Sequence, residues 1–202
     1  LFSVLKRLDL IVAGDIGCYT LGALTPLNAM DTCLCMGASV GMGSGLRRVL
    51  PEADRKRVVS VIGDSTFVHS GITGLVDAVY NGGAGTVIVL DNRTTAMTGH
   101  QPNPATGTRI GGDEAPRLDI PGLARAVGVK RVRTADAYDL RSLEDAVREE
   151  IASDEPSVIV VQNGCVLNER TVFAPPVQAN LDLCTHCESC LSVGCPAVGF
   201  EN

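Results

Sequence analysis

"VVSVIGDS" (58–65) and, one helix later, "TVIVLDNRT" (86–94) decide the fold. Each is a run of mostly β-branched apolar residues without polar alternation, closed by a polar turn. That pattern predicts strands buried on both faces of a sheet. Between them, "GITGLVDAVYNGG" (71–83) reads as a helix closed by glycines. Upstream, "LIVAGDIGC" (10–18) repeats the strand-and-turn pattern, and "MGASVGMGSGLRRVL" (36–50) reads as a helix rich in small residues, packed closely against backbone or ligand. Downstream come a Pro/Gly-rich loop (101–116), a helix with Pro at its start in "IPGLARAVGV" (120–129), a strand in "VKRVRTAD" (129–136), an amphipathic helix in "DLRSLEDAVREEIAS" (139–153) and a last buried strand in "PSVIVVQN" (156–163). Alternating buried strands and helices predict an α/β, doubly wound parallel sheet over residues 1–175. Ligands in such folds sit beyond the carboxyl ends of the strands, where the polar turns 14–18, 63–66 and 91–94 fall. With "APPVQANLD" (174–182) the pattern stops in a linker, from which a short cysteine-bearing C-terminal segment (176–202) hangs.

Composition narrows the function classes. Hydrophobic residues make up 45% of the 202, enough for a real core, and aromatics only 3%. The net charge of −6 and the absence of any basic run argue against nucleic-acid binding. No apolar run approaches the ~20 residues of a membrane-spanning helix. The chain opens on Leu1-Phe2-Ser3-Val4-Leu5, which reads as the middle of an amphipathic helix, so a preceding N-terminal part is expected. Of eight cysteines, Cys184, Cys187, Cys190 and Cys195 fall in one twelve-residue window. Clustering of this kind favours metal ligation in a reducing cytoplasm over a disulfide framework.

Asp64 and Asn92 each follow a buried strand, with one helix between them, and adjacent parallel strands would bring them to one point. A carboxylate and an amide oxygen are hard donors suited to Mg²⁺, which keeps phosphates in its shell. The turn at Asp64 feeds a helix whose first N–H groups attract phosphate. Either residue alone is an ordinary turn former; the two together define a diphosphate site.

"GDS" (63–65), followed one βαβ unit later by Asn92, resembles the thiamine diphosphate motif, with Ser65 where most of the family has Gly. Ser here is familiar in the 2-oxoacid:ferredoxin oxidoreductases. "GDIGCYTLG" (14–22), "GDSTFVHSGI" (63–72) and "TAMTGHQPNP" (95–104) together are most similar to the thiamine-binding C-terminal part of indolepyruvate ferredoxin oxidoreductase large subunits. The resemblance implies that Asp64 and Asn92 bind Mg²⁺ through side chains and Thr94 through its carbonyl. Gly63 and Ser65 would hold the diphosphate, Gly17 and Cys18 would lie near the thiazolium, and Met97, Thr98 and Gly99 would close over the cofactor. It implies oxidative decarboxylation of arylpyruvates such as indole-3-pyruvate, with the acyl group passed to coenzyme A and electrons to ferredoxin. It also implies partners: a small (beta) subunit and further N-terminal domains of the same subunit. The activating Glu of thiamine enzymes, which has no candidate in these residues, would come from those domains, so this stretch alone is expected to be inactive.

The tail reads C-x2-C-x2-C-x4-C-P, one residue longer in the last gap than the bacterial ferredoxin run. Three closely spaced thiolates suit a [4Fe–4S] cluster, with Cys195 ligating it or a second one. His186 keeps a zinc knuckle open as the alternative. His69 and His100, read as loop residues on the ligand side, are candidates to orient a substrate carboxylate or relay a proton, or else are solvated or capping histidines. Cys33 and Cys35 read as buried thiols near the cofactor pocket, and Cys165 as packing. "GMGSG" (41–45) invites a dinucleotide fingerprint, which needs a preceding strand and an acidic residue about 20 on; Asp64 falls nearby by count but ends its own strand, so that reading is rejected. The alternative functions are a related 2-oxoacid:ferredoxin oxidoreductase with another substrate, a non-catalytic electron-transfer module that binds a nucleotide or flavin phosphate, and a structural module with a zinc tail.

Overall fold

The computed structural model describes residues 1–83, 85–168 and 178–193. Six strands form one parallel sheet: β1 (Ile11–Gly14), β2 (Thr32–Cys33), β3 (Val58–Gly63), β4 (Gly85–Asp91), β5 (Arg131–Asp136) and β6 (Pro156–Gln162). Their order is β2-β1-β3-β4-β6-β5. Strand β2, too short to carry a pattern, is the one the sequence reading missed. It pairs with β1 through Ala13↔Thr32 and Gly14↔Cys33.

Alternation along the strands fills two separate cores. Val59, Val61, Ile88, Ile159 and Val161 point to one face, where α1 (Phe2–Arg7) and α7 (Leu140–Ile151) supply Val4, Leu5, Leu143 and Val147. Ile62, Val87, Val89, Val158 and Val160 point to the other, under α2 (Ala38–Val49), α5 (Ile72–Tyr80) and α6 (Ile120–Ala126). Helices on both faces bear out the doubly wound reading. A short α3 (Glu52–Arg55) precedes β3, and α4 (Asp64–Thr66) follows it. A π-helical turn, Phe67–Gly71, joins α4 to α5 without leaving helical geometry at Phe67 or Ile72. His69 therefore lies within a helical stretch, not in a loop as the sequence suggested, because the backbone turns helical directly at Asp64.

The glycine-rich start of α2 serves packing. A Cβ on Gly43 would sit 2.1 Å from Ser60 Oγ, so only glycine lets α2 lie this close to β3. That hydroxyl in turn donates to Ser39 O at 2.9 Å. Within the 41–45 run only Gly43 makes this helix–sheet contact; Gly41 and Gly45 face open space.

Edge strand β5 is guarded by charge. Glu150 of α7, 1% exposed, accepts from Arg131 Nε at 2.7 Å and Arg133 Nε at 2.5 Å. Arginines on an edge strand also discourage pairing with other chains. Replacing Glu150 by Ala takes this carboxylate from Arg131 and leaves Arg133 with Glu149. Both guanidiniums reach solvent, so the loss falls at or below the lower end of the ~3–5 kcal/mol seen on breaking buried pairs: about 2–3 kcal/mol. Urea unfolding of Glu150→Ala against the parent chain measures it; a difference within 0.5 kcal/mol, about the scatter of ordinary surface substitutions, would contradict the assignment.

The boundary expected near residue 175 lies outside the described residues, as do the start of the linker and Cys195.

Candidate cofactor-binding site

The chain runs outward from β1 to β2 on one side and resumes at β3 on the other. The carboxyl ends of β1 and β3 therefore flank a switch point, where α/β sheets open a crevice. A cleft of about 340 Å³ lies there. Turns after β1, β3 and β4 line it, together with Val161, Asn163 and Ala137 from the β6 and β5 side.

The β1 turn is held rigidly. Asp15, fully buried, accepts from Gly37 N at 2.8 Å and Ser39 Oγ at 3.2 Å with one oxygen, and from Ile16 N at 3.0 Å with the other. It ties the end of β1 to the start of α2. Thr20 Oγ1 accepts from Gly17 N and donates to Asp15 O, both at 3.0 Å. Tyr19 then crosses to β3: its hydroxyl accepts from Gly63 N at 3.0 Å and donates to Ile16 O at 3.2 Å. Burial pushes this phenol well above its usual range, with the Gly63 bond opposing. A Cβ on Gly17 would stand 2.4 Å from the Tyr19 ring, and one on Gly63 3.1 Å. The two motif glycines thus seat an aromatic ring. Sequence reasoning passed over Tyr19, although a bulky ring set between glycine-bearing turns was the available signal.

At the β3 turn, Asp64 is 3% exposed. Its Oδ1 accepts from Ser65 N at 2.6 Å, whereas Oδ2 is buried with no hydrogen-bond partner among the described residues. Desolvation, reinforced by the Asp91 carboxylate and opposed by the Ser65 and Arg93 amides, raises the Asp64 carboxyl to about 6. At the β4 turn, Asn92 Oδ1 accepts from Thr94 N at 3.2 Å. Arg93 between them takes a left-handed φ of 60°. Asp91, also 3% exposed, is satisfied by Arg93 N, Arg117 Nη2 and Gln162 Nε2.

An orphaned, buried carboxylate oxygen next to an amide oxygen is the chemistry of a divalent-cation site. The donor set fits Mg²⁺: Asp64 Oδ2, the second lone pair of Asn92 Oδ1 and the carbonyl of Thr94. The helical stretch opens here, where the helix-end dipole favours anions, with the Ser65 amide itself given to Asp64 Oδ1. The residues present therefore fit thiamine diphosphate with its cation.

Of the residues read from sequence, Gly17, Cys18, Gly63, Asp64, Ser65, Asn92, Thr94, Met97 and Thr98 line the cleft. Gly99 is not among its lining residues; its φ of 120° instead turns the chain after Thr98. Neither His69 nor His100 lines the cleft. His69 is exposed on the π-helical turn, and His100 Nε2 lies 3.8 Å from Cys165 Sγ. Cys165 is thus half-buried against a histidine, close to the packing role expected of it. Cys33 is half-buried, Cys35 is exposed rather than buried, and neither lines the cleft: Cys33 ends β2 at the sheet edge and Cys35 lies two residues past it. In the tail, Cys184, Cys187 and Cys190 are exposed. Hydrogen bonding with Ser189 brings the Cys187 thiol down to about 7. Among the described residues no three His, Cys, Asp or Glu side chains gather as a metal-ligand group. Among the same residues no helix is long and apolar enough to cross a membrane.

Comparison with known proteins places the chain in a family. Residues 15–161 match the model of the thiamine pyrophosphate enzyme C-terminal TPP-binding domain. The chain belongs to that family of thiamine pyrophosphate enzymes, as a TPP-binding domain of α/β fold. More particularly, it is similar to the indolepyruvate oxidoreductase subunit IorA. It is 41% identical over 195 residues to IorA of Methanothermobacter marburgensis, covering 96% of this chain and 31% of that protein. It is 37% identical over 200 residues to IorA of Archaeoglobus fulgidus, covering 96% of this chain and 31% of that one. The chain thus spans about a third of the length of these curated relatives. Among solved structures, 2-oxoglutarate:ferredoxin oxidoreductase from Magnetococcus marinus superposes with a TM-score of 0.66 at 13% identity, over 81% of this chain and 61% of that one. A thiamine diphosphate-dependent 4-hydroxybenzoylformate decarboxylase from Rhodococcus jostii gives 0.56 at 22%, over 81% of this chain and 32% of that one. At such identities these structures speak for the fold alone.

The raised Asp64 carboxyl makes a signed prediction. Its folded value, about 6, exceeds the ordinary 3.8, so the folded chain holds this proton more tightly than the unfolded chain. The associated stability is full below pH 4 and lost as pH rises through about 6. Asp64→Asn therefore stabilises the cofactor-free protein at pH 8 by about 1–3 kcal/mol and leaves it nearly unchanged at pH 4. Unfolding of both proteins at the two pH values without divalent cation tests this; destabilisation of the Asn variant at pH 8 would contradict it.

Proposed function

We propose that this chain is the thiamine diphosphate- and Mg²⁺-binding part of a 2-oxoacid:ferredoxin oxidoreductase that acts on arylpyruvates such as indole-3-pyruvate. The observation that carries the reading is the buried, unpartnered Asp64 oxygen facing the Asn92–Thr94 turn in the switch-point cleft. The likeness to IorA over 96% of the chain supports the substrate class. Bound in this cleft, thiamine diphosphate supplies a nucleophilic ring carbon for the keto carbon of the 2-oxoacid and an electron sink for decarboxylation. The chain's own residues bind, orient and shield it. Asp64, Asn92 and the Thr94 carbonyl hold the cation; Gly63 and Ser65 hold the diphosphate. Gly17 and Cys18 border the reacting ring, with Tyr19 fixing the spacing of their turn from β3. Met97 and Thr98, both exposed at the rim, cover the mouth.

The cysteine tail supplies the reason for an oxidoreductase rather than a simple decarboxylase. Cys184, Cys187, Cys190 and Cys195 would hold a [4Fe–4S] cluster through which electrons leave for ferredoxin, while the acyl group passes to coenzyme A. Exposure of the three described thiols leaves them open to assemble around a cluster. The working enzyme would include further domains of the same subunit and a small subunit, in a reducing cytoplasm.

Calorimetric titration of the full-length polypeptide with thiamine diphosphate tests the site. Binding is expected to require Mg²⁺ and to weaken at least tenfold in Asp64→Ala and in Asn92→Ala. Unaltered binding in both would overturn the assignment. Anaerobically purified protein is expected to contain iron and acid-labile sulfide; zinc without either would replace the cluster by a zinc knuckle.

A further inference from the structure

The loop between β4 and α6 carries a cation that none of the roles above uses. Residues 101–119 have no long regular element, yet they are pinned. Thr95 and Gln101 form one antiparallel bridge, and Thr108 and Glu114 another. Leu118 N donates to Pro104 O at 2.9 Å and Ala115 N to Gly107 O at 3.0 Å. Asn103, 8% exposed, donates from Nδ2 to Thr95 Oγ1 at 3.2 Å and accepts from Ala105 N at 2.8 Å. At the centre stands Arg117. Its Nε donates to Ala105 O at 2.8 Å and its Nη2 reaches Asp91 Oδ2 at 3.3 Å. One guanidinium thus fastens both sides of the loop to the residue that opens the β4 turn.

Asp91 is the other half of the device. Its side chain is 3% exposed, against 44% for Arg117. A carboxylate this buried needs a full set of partners. Arg117 and Gln162 take Oδ2, leaving Oδ1 to accept from Arg93 N at 3.3 Å. That last bond lies at the left-handed Arg93, the conformation that swings the chain so that Asn92 and Thr94 both line the cleft. A non-glycine residue at positive φ persists only where its surroundings hold it.

We infer that Arg117 is a positioning residue for the cation-binding turn: by clamping Asp91 it fixes the Arg93 bend that presents Asn92 and Thr94. The clamp makes the 101–119 loop and the cofactor cleft one coupled unit. Coupling is reciprocal, so whatever orders the turn also orders the loop. The ligand part of this inference rests on the thiamine diphosphate reading above; the clamp itself does not.

The test has two arms, both on the full-length polypeptide. In the first, without cofactor, amide hydrogen exchange at Arg93 and Thr94 is expected to quicken at least tenfold in Arg117→Met, with amides of α7 unchanged. Arg117→Lys, which keeps the charge but not the two-armed reach, should fall between. Unchanged exchange at Arg93 and Thr94 overturns the clamp whatever the ligand is. In the second arm, thiamine diphosphate with Mg²⁺ is expected to slow exchange over 104–118 in the parent protein, and its Kd to rise about tenfold or more in Arg117→Met. An equal Kd overturns the positioning role, whereas failure of the parent protein to bind counts against the cofactor reading and leaves the first arm to judge the clamp. Should Arg117→Met fold poorly with Asp91 unpaired, Asp91→Asn/Arg117→Met removes that charge. Its loop should then gain no protection from the cofactor; retained protection overturns the coupling.

Discussion

Five consecutive parallel pairs, from Val59↔Thr86 to Gly63↔Leu90, join β3 to β4 and fix the distance between two turns. Everything at the site depends on that register. It sets Asp64, the first residue past β3, beside Asp91 and Asn92 at the end of β4. A slip of one residue would turn Ile62, Val87 and Val89 to the wrong core and separate the two donor groups. The register is enforced by hydrophobic alternation on both faces, so the same side chains that stabilise the sheet aim the chemistry.

The cleft is built from polar groups whose demands are met unevenly. Asp15 and Asp91 are as buried as Asp64, but each has partners for both oxygens. Asp64 alone of the three keeps an oxygen unsatisfied. Burial raises its carboxyl to about 6, with Asp91 adding repulsion. The proposed cation at that oxygen would reverse both effects, so the empty site costs the fold stability that binding would return.

Much of this was legible in the sequence. The continuous apolar runs gave four of the six strands because burial on both faces leaves no other composition; β5, largely exposed at the edge, was legible only from "VKRVRTAD". The turns at Asp64 and Asn92 were legible because a polar residue directly after such a run has nowhere to go but the sheet's end. What escaped was non-local. Strand β2 is two residues long and is made by pairing with β1, not by its own pattern. Tyr19 bonds Gly63, 44 residues away, and Arg117 meets Asp91 across 26. His69 was placed in a loop because a π-helical turn has no composition of its own, and Cys35 was thought buried because it could not be seen to lie just past an edge strand.

The central claim is that Asp64 and Asn92 share one divalent cation in the switch-point cleft. A crystal structure of the full-length polypeptide with thiamine diphosphate and Mn²⁺, read by anomalous scattering, tests it most directly. The account predicts a single manganese peak about 2 Å from Asp64 Oδ2 and from the side-chain oxygen of Asn92, with the diphosphate completing its shell. Manganese bound elsewhere, or cofactor in the cleft with Asp64 Oδ2 still unligated, would contradict it.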